Sequence, residues 1–173
     1  MSLLALKKYH KEPYPTISPT RPELSQVGNT VLVAGGSTGI GFAIARGFTS
    51  AGASRVIVLG RRQQVVEEAA AKLQEEGTSP NPSTVVEGRV CDISNLEDVR
   101  KLWSDLETDS VYVNVLVLSA AAFGNSTPIL ENGLESVWSD FEVNVRSGLN
   151  LTERFYKQKT GKGQKVSNLY SFY

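Results

Sequence analysis

The chain has 173 residues, of which 40 % are hydrophobic and 21 % are charged, and its 18 basic residues equal its 18 acidic residues in number. This balance leaves no net charge to attract nucleic acid or an anionic membrane, and no apolar run approaches the roughly 20 residues of a membrane helix. The single cysteine excludes an internal disulfide and suits a reducing compartment, so we expect one cytoplasmic protein with a sizeable core.

The N-terminal segment, residues 1–28, differs in composition from the remainder. It contains four of the seven prolines of the chain, and proline removes a backbone donor and disfavours helix in the residue before it. We therefore expect an extended arm on the domain surface, followed by one folded unit over residues 29–173. The only histidine, His10, lies in this arm and is predicted to be a solvated surface residue.

A strand, a glycine-rich turn and a helix follow the arm. Val31–Ala34 is an apolar run that predicts a buried strand, and the helix is predicted from about residue 39 to residue 51, with Gly52 ending it. Its helically spaced apolar side chains, which we expect to be buried, are Ile40, Ile44 and Phe48. The intervening turn contains Gly35, Gly39 and Gly41. Unpaired N–H groups at the start of a helix favour phosphate, and glycine lets the phosphate approach closely.

Three other motifs compete for this turn and fit it less well. The dinucleotide fingerprint Gly-x-Gly-x-x-Gly fails because Ile44 occupies its third glycine position. A P-loop fails because Phe42 and Ala43 occupy the positions of its Lys and Ser/Thr. A hydrolase nucleophile elbow at Ser37 requires a later histidine, and the only histidine lies upstream. The spacing that does fit is Gly-x-x-x-Gly-x-Gly.

The remaining chain alternates predicted strands and helices. Further strands are predicted over residues 55–59, 84–90, 113–118 and 165–169, with a loop over 77–83. Helices are predicted after the second strand, after a capping box at Ser94–Glu97, and over about 133–158. The apolar stripe of this last helix is interpreted as core packing and comprises Trp138, Phe141, Val145 and Leu149. The alternation predicts an α/β fold with a Rossmann-like, doubly wound parallel sheet in the order 3-2-1-4-5, whose ligand crevice opens between strands 1 and 4.

The Gly-x-x-x-Gly-x-Gly spacing resembles that of the short-chain dehydrogenase/reductase family, and the resemblance covers about residues 29–171. It implies an oxidoreductase that interconverts an alcohol and a carbonyl compound with a nicotinamide dinucleotide and without a metal. The residues expected to bind the cofactor are Gly35, Ser37, Thr38, Gly39, Ile40, Gly41, Arg61, Arg62, Asp92, Ile93, Ser119 and Ala120.

The end of the second strand predicts a preference for NADP(H) over NAD(H). A carboxylate at this point would hydrogen-bond the ribose 2′-hydroxyl of NAD, and Gly60 supplies none. Arg61 offers a planar fork suited to a 2′-phosphate, with Thr38 or Arg62 assisting. The alternative is that Arg61 is an ordinary surface arginine at a strand end.

Other positions match or depart from the family pattern. Asp92 matches the acidic residue beside the adenine amino group, and a loop-capping aspartate is the alternative interpretation. Ala34 stands where the family usually has Thr, and Leu118-Ser119-Ala120-Ala121 stands where Asn-Asn-Ala-Gly is usual. Both departures remove side-chain hydrogen bonds that tie strands 1 and 4 to the ribose, so we expect weakened cofactor binding.

The resemblance also implies two catalytic positions. Asn144 matches the family's asparagine that holds a proton-relay water by kinking the fourth helix, and an ordinary helix-face amide is the alternative. Ser171 matches the serine that orients the substrate. The family's Tyr-x-x-x-Lys should follow Ser171, whereas the chain ends at Tyr173. We therefore expect a C-terminally truncated, incomplete sheet that is inactive alone. Its exposed fourth helix and edge strand could bind a partner or a second copy. The alternative function is a catalytically silent nucleotide-binding or interaction protein.

Overall fold

The computed structural model describes residues 14–77, 84–124, 127–159 and 168–171. Two short 3₁₀ turns, Pro15–Ile17 and Pro22–Leu24, occupy the described part of the arm. The arm is tied to the domain where the Gln26 N–H donates to the Ala51 carbonyl at 2.9 Å and the Gly28 N–H donates to Ser54 Oγ at 2.8 Å. The predicted surface residue His10 lies outside the described residues, as does the loop predicted over 77–83 apart from Gly77, which ends the second helix.

Strands and helices alternate along the chain. The strands are β1 (Thr30–Ala34), β2 (Arg55–Gly60), β3 (Val85–Val90), β4 (Val115–Leu118) and β5 (Asn168–Ser171). The helices are α1 (Gly39–Ser50), α2 (Gln63–Gly77), α3 (Leu96–Thr108), α4 (Leu134–Phe141) and α5 (Ser147–Tyr156). A π-helical turn, Glu142–Arg146, joins α4 to α5 without leaving helical geometry, and the three segments are called the α4–α5 rod below.

The five strands form one sheet in the order β3-β2-β1-β4-β5, and every neighbouring pair is parallel. This confirms the predicted fold and strand order. Strand β1 lies in the centre, and its residues Val31–Ala34 are fully buried. Leu32 and Ala34 pack on the side covered by α3 and α5, whereas Val31 and Val33 pack on the side covered by α1 and α2. The sheet is therefore doubly wound, as the near-continuous apolar runs of its inner strands require.

The buried face of α1 differs from the prediction. Ile40 is 70 % exposed and Ile44 and Phe48 are only partly buried, whereas the buried residues of α1 are Gly41, Ala45 and Thr49. The prediction was wrong for Ile40 but holds in part for Ile44 and Phe48, which pack against the core at the flanks of the small residues that face the sheet. The small residues allow the helix to approach the strands closely. Gly52, with φ of +78°, ends the helix as predicted.

The start of α3 is also displaced from its predicted capping box. Asn95, not Ser94, caps the helix, and its Oδ1 accepts from the N–H of Glu97 at 2.9 Å. Ser94 instead donates its hydroxyl to Asp92 Oδ1 at 2.7 Å. The capping box was therefore predicted one residue too early, because both neighbouring side chains have the chemistry of a helix cap.

The apolar stripe of the α4–α5 rod is exposed, so its interpretation as core packing was wrong. Its four members are between 48 % and 68 % exposed; they are Trp138, Phe141, Val145 and Leu149. The rod packs on the sheet through a different face, which buries Ser147, Gly148, Leu151 and Phe155. Periodicity identified a face of the helix but could not determine whether that face meets the sheet or the outside.

Candidate functional site

A large cleft opens at the carboxyl ends of the strands and is called the main cleft. It encloses about 990 Å³ and is lined by the connections that follow β1, β2, β3 and β4. All of the residues expected from the sequence to bind a cofactor line it; they are Gly35, Ser37, Thr38, Gly39, Ile40, Gly41, Arg61, Arg62, Asp92, Ile93, Ser119 and Ala120. The position, between β1 and β4 where the winding direction reverses, is where open α/β sheets bind ligands.

The β1–α1 turn is packed too closely for side chains. Gly35 has a φ of +79°, and a Cβ on it would lie 2.7 Å from the backbone nitrogen and Cα of Ala120. A Cβ on Gly41 would overlap the Gly35 carbonyl oxygen and lie 2.8 Å from its carbonyl carbon. These glycines therefore bring the first turn of α1 against β1, and bring β1 against the turn after β4.

The N-terminus of α1 presents free donors to the main cleft. Its first intrahelical bond runs from the Phe42 N–H to the Thr38 carbonyl at 3.2 Å, so the preceding N–H groups have no acceptor within the helix. Thr38, the N-cap residue before Gly39, has an extended backbone, and its side chain makes no capping hydrogen bond. Gly39 has a φ of +56°, and a Cβ there would meet open space. Unpaired amides, the positive end of the helix dipole and room for a ligand make this turn suited to a phosphate group.

The end of β2 has a closely packed glycine, Gly60, followed by two exposed arginines. A Cβ on Gly60 would lie 2.7 Å from Ser37 Oγ and 2.8 Å from Val66 Cγ2, so a larger residue would require both side chains to move. Arg61 and Arg62 are exposed on the wall of the main cleft. Neither forms an ion pair with a carboxylate among the described residues, so both guanidinium groups are available to an anionic ligand.

The connection after β3 adds Cys91 and Asp92 to the lining of the main cleft. Asp92 Oδ1 accepts from the N–H of Ser94 at 3.0 Å and from its hydroxyl, so the loop-capping role is present. Cys91 is a lining residue that the sequence analysis missed, although it is the first residue after β3. Burial, with smaller contributions from the negative charges of Asp98 and Asp92, raises the pKa of the Cys91 thiol to about 12. The thiol is therefore protonated at neutral pH and is not a nucleophile.

The connection after β4 forms the remaining wall through backbone contacts. The Ser119 N–H donates to the Ala34 carbonyl at 3.0 Å, and Ala120 lies against Gly35. Ala121, Ala122 and the almost fully exposed Phe123 also line the main cleft and were not predicted. Their only sequence signal was the run of small residues after β4, which permits this close packing.

Asn144 lies in the π-helical turn and holds the connection after β4 from outside the main cleft. Its Nδ2 donates to the Ala122 carbonyl at 2.7 Å, and its Oδ1 accepts from the Ala122 N–H at 2.8 Å. Val143, beside it, lines the main cleft. Ser171 is paired in register with Leu118, the residue before Ser119. The backbone of Ser171 therefore lies beside the start of the connection after β4, and the side chain of Asn144 bonds to a later residue of the same connection.

Within the described ranges, no group of three or more His, Cys, Asp or Glu side chains is arranged to hold a metal ion. None of the described helices combines the length and the apolar character that crossing a bilayer requires.

Comparison with known proteins gives a consistent result. The family model described as short chain dehydrogenase matches residues 29–171. A short chain dehydrogenase/reductase of Claviceps purpurea is 33 % identical over 166 residues, which are 95 % of this chain and 53 % of that protein. Dehydrogenase/reductase SDR family member 4 of Homo sapiens is 33 % identical over 136 residues, covering 76 % of this chain and 45 % of the relative. The chain thus spans about half the length of the curated relatives it matches.

Solved structures resemble the fold as well. A short-chain type dehydrogenase/reductase from Mycobacterium ulcerans superposes with a TM-score of 0.69 at 25 % identity, over 78 % of this chain and 47 % of that one. L-sorbose reductase from Gluconobacter frateurii, solved with NADPH and L-sorbose, superposes with a TM-score of 0.65 at 26 % identity, over 76 % of this chain and 48 % of that one.

Proposed function

This chain belongs to the short-chain dehydrogenase family, and from that premise we propose that its main cleft binds NADP(H) and that the whole protein interconverts an alcohol and a carbonyl compound. The observation that carries the proposal is the convergence of all the sequence-predicted cofactor residues on one cleft. The nicotinamide, when bound, supplies or accepts a hydride. The protein's contribution is to bind and orient the two reactants.

The unpaired amides at the start of α1 are proposed to bind the diphosphate. They precede the first intrahelical hydrogen bond, and Gly39 leaves open space in front of them. A negative charge placed there interacts with the helix dipole as well as with the N–H groups. The fit of the group to this turn is supported by the glycines themselves, since a Cβ on Gly35 or Gly41 would close the turn.

Arg61 is proposed to select NADP(H) over NAD(H), with Arg62 and Thr38 assisting. Gly60 carries no carboxylate, and a larger side chain there would require Ser37 and Val66 to move. L-sorbose reductase, a similar protein whose structure was solved with NADPH, supports this choice of cofactor. Asp92 and Ile93 are proposed to line the adenine pocket, and Ser119 and Ala120 to bind the nicotinamide ribose through their backbone.

The catalytic proposals are Ser171 for orienting the substrate and Asn144 for positioning a proton-relay water. Asn144 is supported by its place in a π-helical turn, a feature that often marks functional sites. No Tyr-x-x-x-Lys sequence occurs in the chain. A free tyrosine has a pKa near 10 and is a poor proton donor unless a neighbouring cation lowers that value. We therefore propose that these 173 residues alone bind the cofactor without efficient turnover.

The exposed stripe of the α4–α5 rod supports a proposal about assembly. Trp138 and Phe141 stack with ring centroids 6.2 Å apart, and Val145 and Leu149 continue the apolar surface along the rod. A contiguous apolar surface of this kind is typical of an interface. We propose that it pairs with a second copy of the chain. A cytoplasmic location is proposed on composition alone, and cell fractionation tests it.

Titration of the chain with NADPH and NADH tests the cofactor proposal. We expect NADPH to bind more tightly, and Arg61→Ala to weaken NADPH by about tenfold or more, because a charge-assisted hydrogen bond contributes about 1.5–3 kcal/mol. NADH should be nearly unaffected. Arg46→Ala is the matched control, since Arg46 pairs with Glu76 on the far side of α1 and does not line the main cleft. Equal affinities for both coenzymes in all three proteins would end the proposal for Arg61.

A further inference from the structure

The connection between β4 and α4 contains an asparagine–glycine pair. Asn132 is the only asparagine of the chain that is followed by glycine, and all the others precede larger residues. The side-chain amide of an asparagine can be attacked by the backbone nitrogen of the next residue, and a side chain on that next residue hinders the attack. Glycine has none. By sequence, Asn132 is therefore the asparagine most open to this reaction, and the fold decides whether the two groups are accessible.

Gly133 is accessible in the structure. It is exposed and is the N-cap residue of α4. Its φ is +78°, and nothing lies within 4 Å of the position that a Cβ would occupy. The first hydrogen bond of the helix runs from the Val137 N–H to the Gly133 carbonyl at 3.2 Å, so the Gly133 N–H precedes the helical ladder. The attacking nitrogen is thus neither packed in the core nor bonded within the helix.

The side chain of Asn132 is oriented by Thr127. The Thr127 hydroxyl donates to Asn132 Oδ1, and Asn132 Nδ2 donates to the Thr127 carbonyl at 3.4 Å. Attack on Cγ moves negative charge onto Oδ1, so a hydroxyl that already donates to this atom stabilises the tetrahedral intermediate. Thr127 is exposed, so this contact lies at the surface, where water is available for the later hydrolysis.

We propose that Asn132 is a site of spontaneous deamidation, with the Gly133 nitrogen as the nucleophile and the Thr127 hydroxyl as the donor to the oxyanion. The Gly133 nitrogen forms a bond to Asn132 Cγ, the Cγ–Nδ2 bond breaks, and ammonia leaves with the proton of the Gly133 N–H. Water then opens the cyclic imide at either carbonyl. The product is aspartate or isoaspartate, and the only co-reactant is water.

The reaction changes the charge and the backbone at the start of α4. The formal net charge of the chain is zero at pH 7, so each event makes the chain more acidic by one charge. The new carboxylate belongs to a residue that lines a cavity of about 310 Å³ together with Asp140, which carries a like charge. Isoaspartate also lengthens the main chain by one carbon directly before the N-cap residue, so we expect the first turn of α4 to lose its hydrogen bonds.

Incubation of the folded chain in mildly alkaline buffer tests the proposal, with ion-exchange chromatography and peptide mapping by mass spectrometry as the measurements. We expect an acidic form to accumulate that is modified at Asn132 and not at Asn144 or Asn150, whose following residues are larger. Asn132→Gln should abolish this form, because its cyclic imide would need a larger ring. An acidic form that appears only in the urea-unfolded chain, or that persists in the Asn132→Gln protein, would overturn the proposal.

Variants of Thr127 measure what the fold contributes. Thr127→Val removes the hydroxyl and retains the shape, so it should slow deamidation of the folded chain by about tenfold. Thr127→Ser retains the hydroxyl and should react at the rate of the unaltered chain. In urea all three proteins should react equally, because the contact with Asn132 exists only in the folded chain. A folded Thr127→Val protein that reacts as fast as the unaltered chain would refute the role of the hydroxyl.

Asn132→Asp separates the effect of charge from that of the longer main chain, since it has the first without the second. We expect the amides in the first turn of α4 to exchange hydrogen faster in the isoaspartate form than in the Asn132→Asp protein. Equal exchange in the two proteins would show that the lengthened main chain leaves the start of α4 intact, contrary to the proposal.

Discussion

Replacing Gly41 by alanine tests the packing on which the proposed cofactor site depends. A Cβ at this position would overlap the Gly35 carbonyl oxygen and lie 2.8 Å from its carbonyl carbon, closer than real Cβ atoms approach such atoms. Both are backbone atoms, so no side-chain rotation relieves the overlap. The first turn of α1 must move away from β1, and the unpaired amides move with it.

Gly47 provides a matched control in the same helix. A Cβ there would meet nothing within 4 Å, so Gly47→Ala should gain the ordinary helix propensity of alanine, about 0.5–1 kcal/mol. Gly41→Ala gains the same propensity and loses about 1–3 kcal/mol or more to overpacking. The equal gains in propensity cancel, so we expect Gly41→Ala to be the less stable of the two variants by about 1–3 kcal/mol or more.

Urea unfolding of the two variants and the unaltered chain measures these differences, and NADPH titration measures the functional effect. Gly47→Ala should bind NADPH normally, whereas Gly41→Ala should bind it weakly or not at all. Gly39→Ala adds a methyl group to the same turn without a close contact to the protein, because its Cβ would meet open space. Its φ of +56° costs about 1–2 kcal/mol for an L-residue. If Gly41→Ala proved as stable as Gly47→Ala, the close contact between α1 and β1 would be refuted.

Three further changes have expected outcomes. Asn144→Leu removes both hydrogen bonds to Ala122 and should lower the free energy of unfolding by about 1–3 kcal/mol. An unchanged urea midpoint would show that these two hydrogen bonds do not stabilise the fold. Burial holds the pKa of the Cys91 thiol at about 12, above the ordinary 9.0, so the stability that this group contributes is complete below pH 9 and is lost as pH rises towards 12. Accordingly, the folded chain should resist a thiol reagent at about pH 8 and react once unfolded, whereas equal labelling rates would argue against this burial. Trp138→Glu should convert a dimer into a monomer in sedimentation experiments while NADPH binding persists, and a monomeric unaltered chain would remove the assembly proposal.

The strand order and the location of the main cleft could be predicted because both follow from local patterns. Buried runs such as Val31–Ala34 alternate with helical periodicity, and parallel strands with right-handed crossovers leave few arrangements. The glycine spacing then identifies the turn that needs close backbone approach. At Gly35 and Gly41 the structure shows the expected physical reason, since a Cβ at either position meets backbone atoms.

The orientation of helices could not be predicted in the same way. In α1 the small residues Gly41 and Ala45 face the sheet and Ile40 is exposed. Ile44 and Phe48 pack against the core only at the flanks, so hydrophobicity alone does not identify the side chains that meet the sheet. In the α4–α5 rod the spacing of Trp138 and Phe141 is as regular as that of Leu151 and Phe155, although only the second pair is buried. What surrounds each face is a tertiary property that periodicity does not contain.

Ala34 and Ser119, which depart from the family pattern, lie where the neighbouring strands β1 and β4 end. Their side chains do not tie the strands to each other, but the backbone does, through the Ser119 N–H to the Ala34 carbonyl at 3.0 Å and the Gly35 N–H to the Leu59 carbonyl at 3.1 Å. These backbone bonds reach the chain only as far as Ser119. Asn144 holds the chain farther on, by bonding both polar atoms of the Ala122 backbone. The Asn144 side chain in the rod thus positions the connection that follows β4, so its loss should loosen this part of the wall of the main cleft.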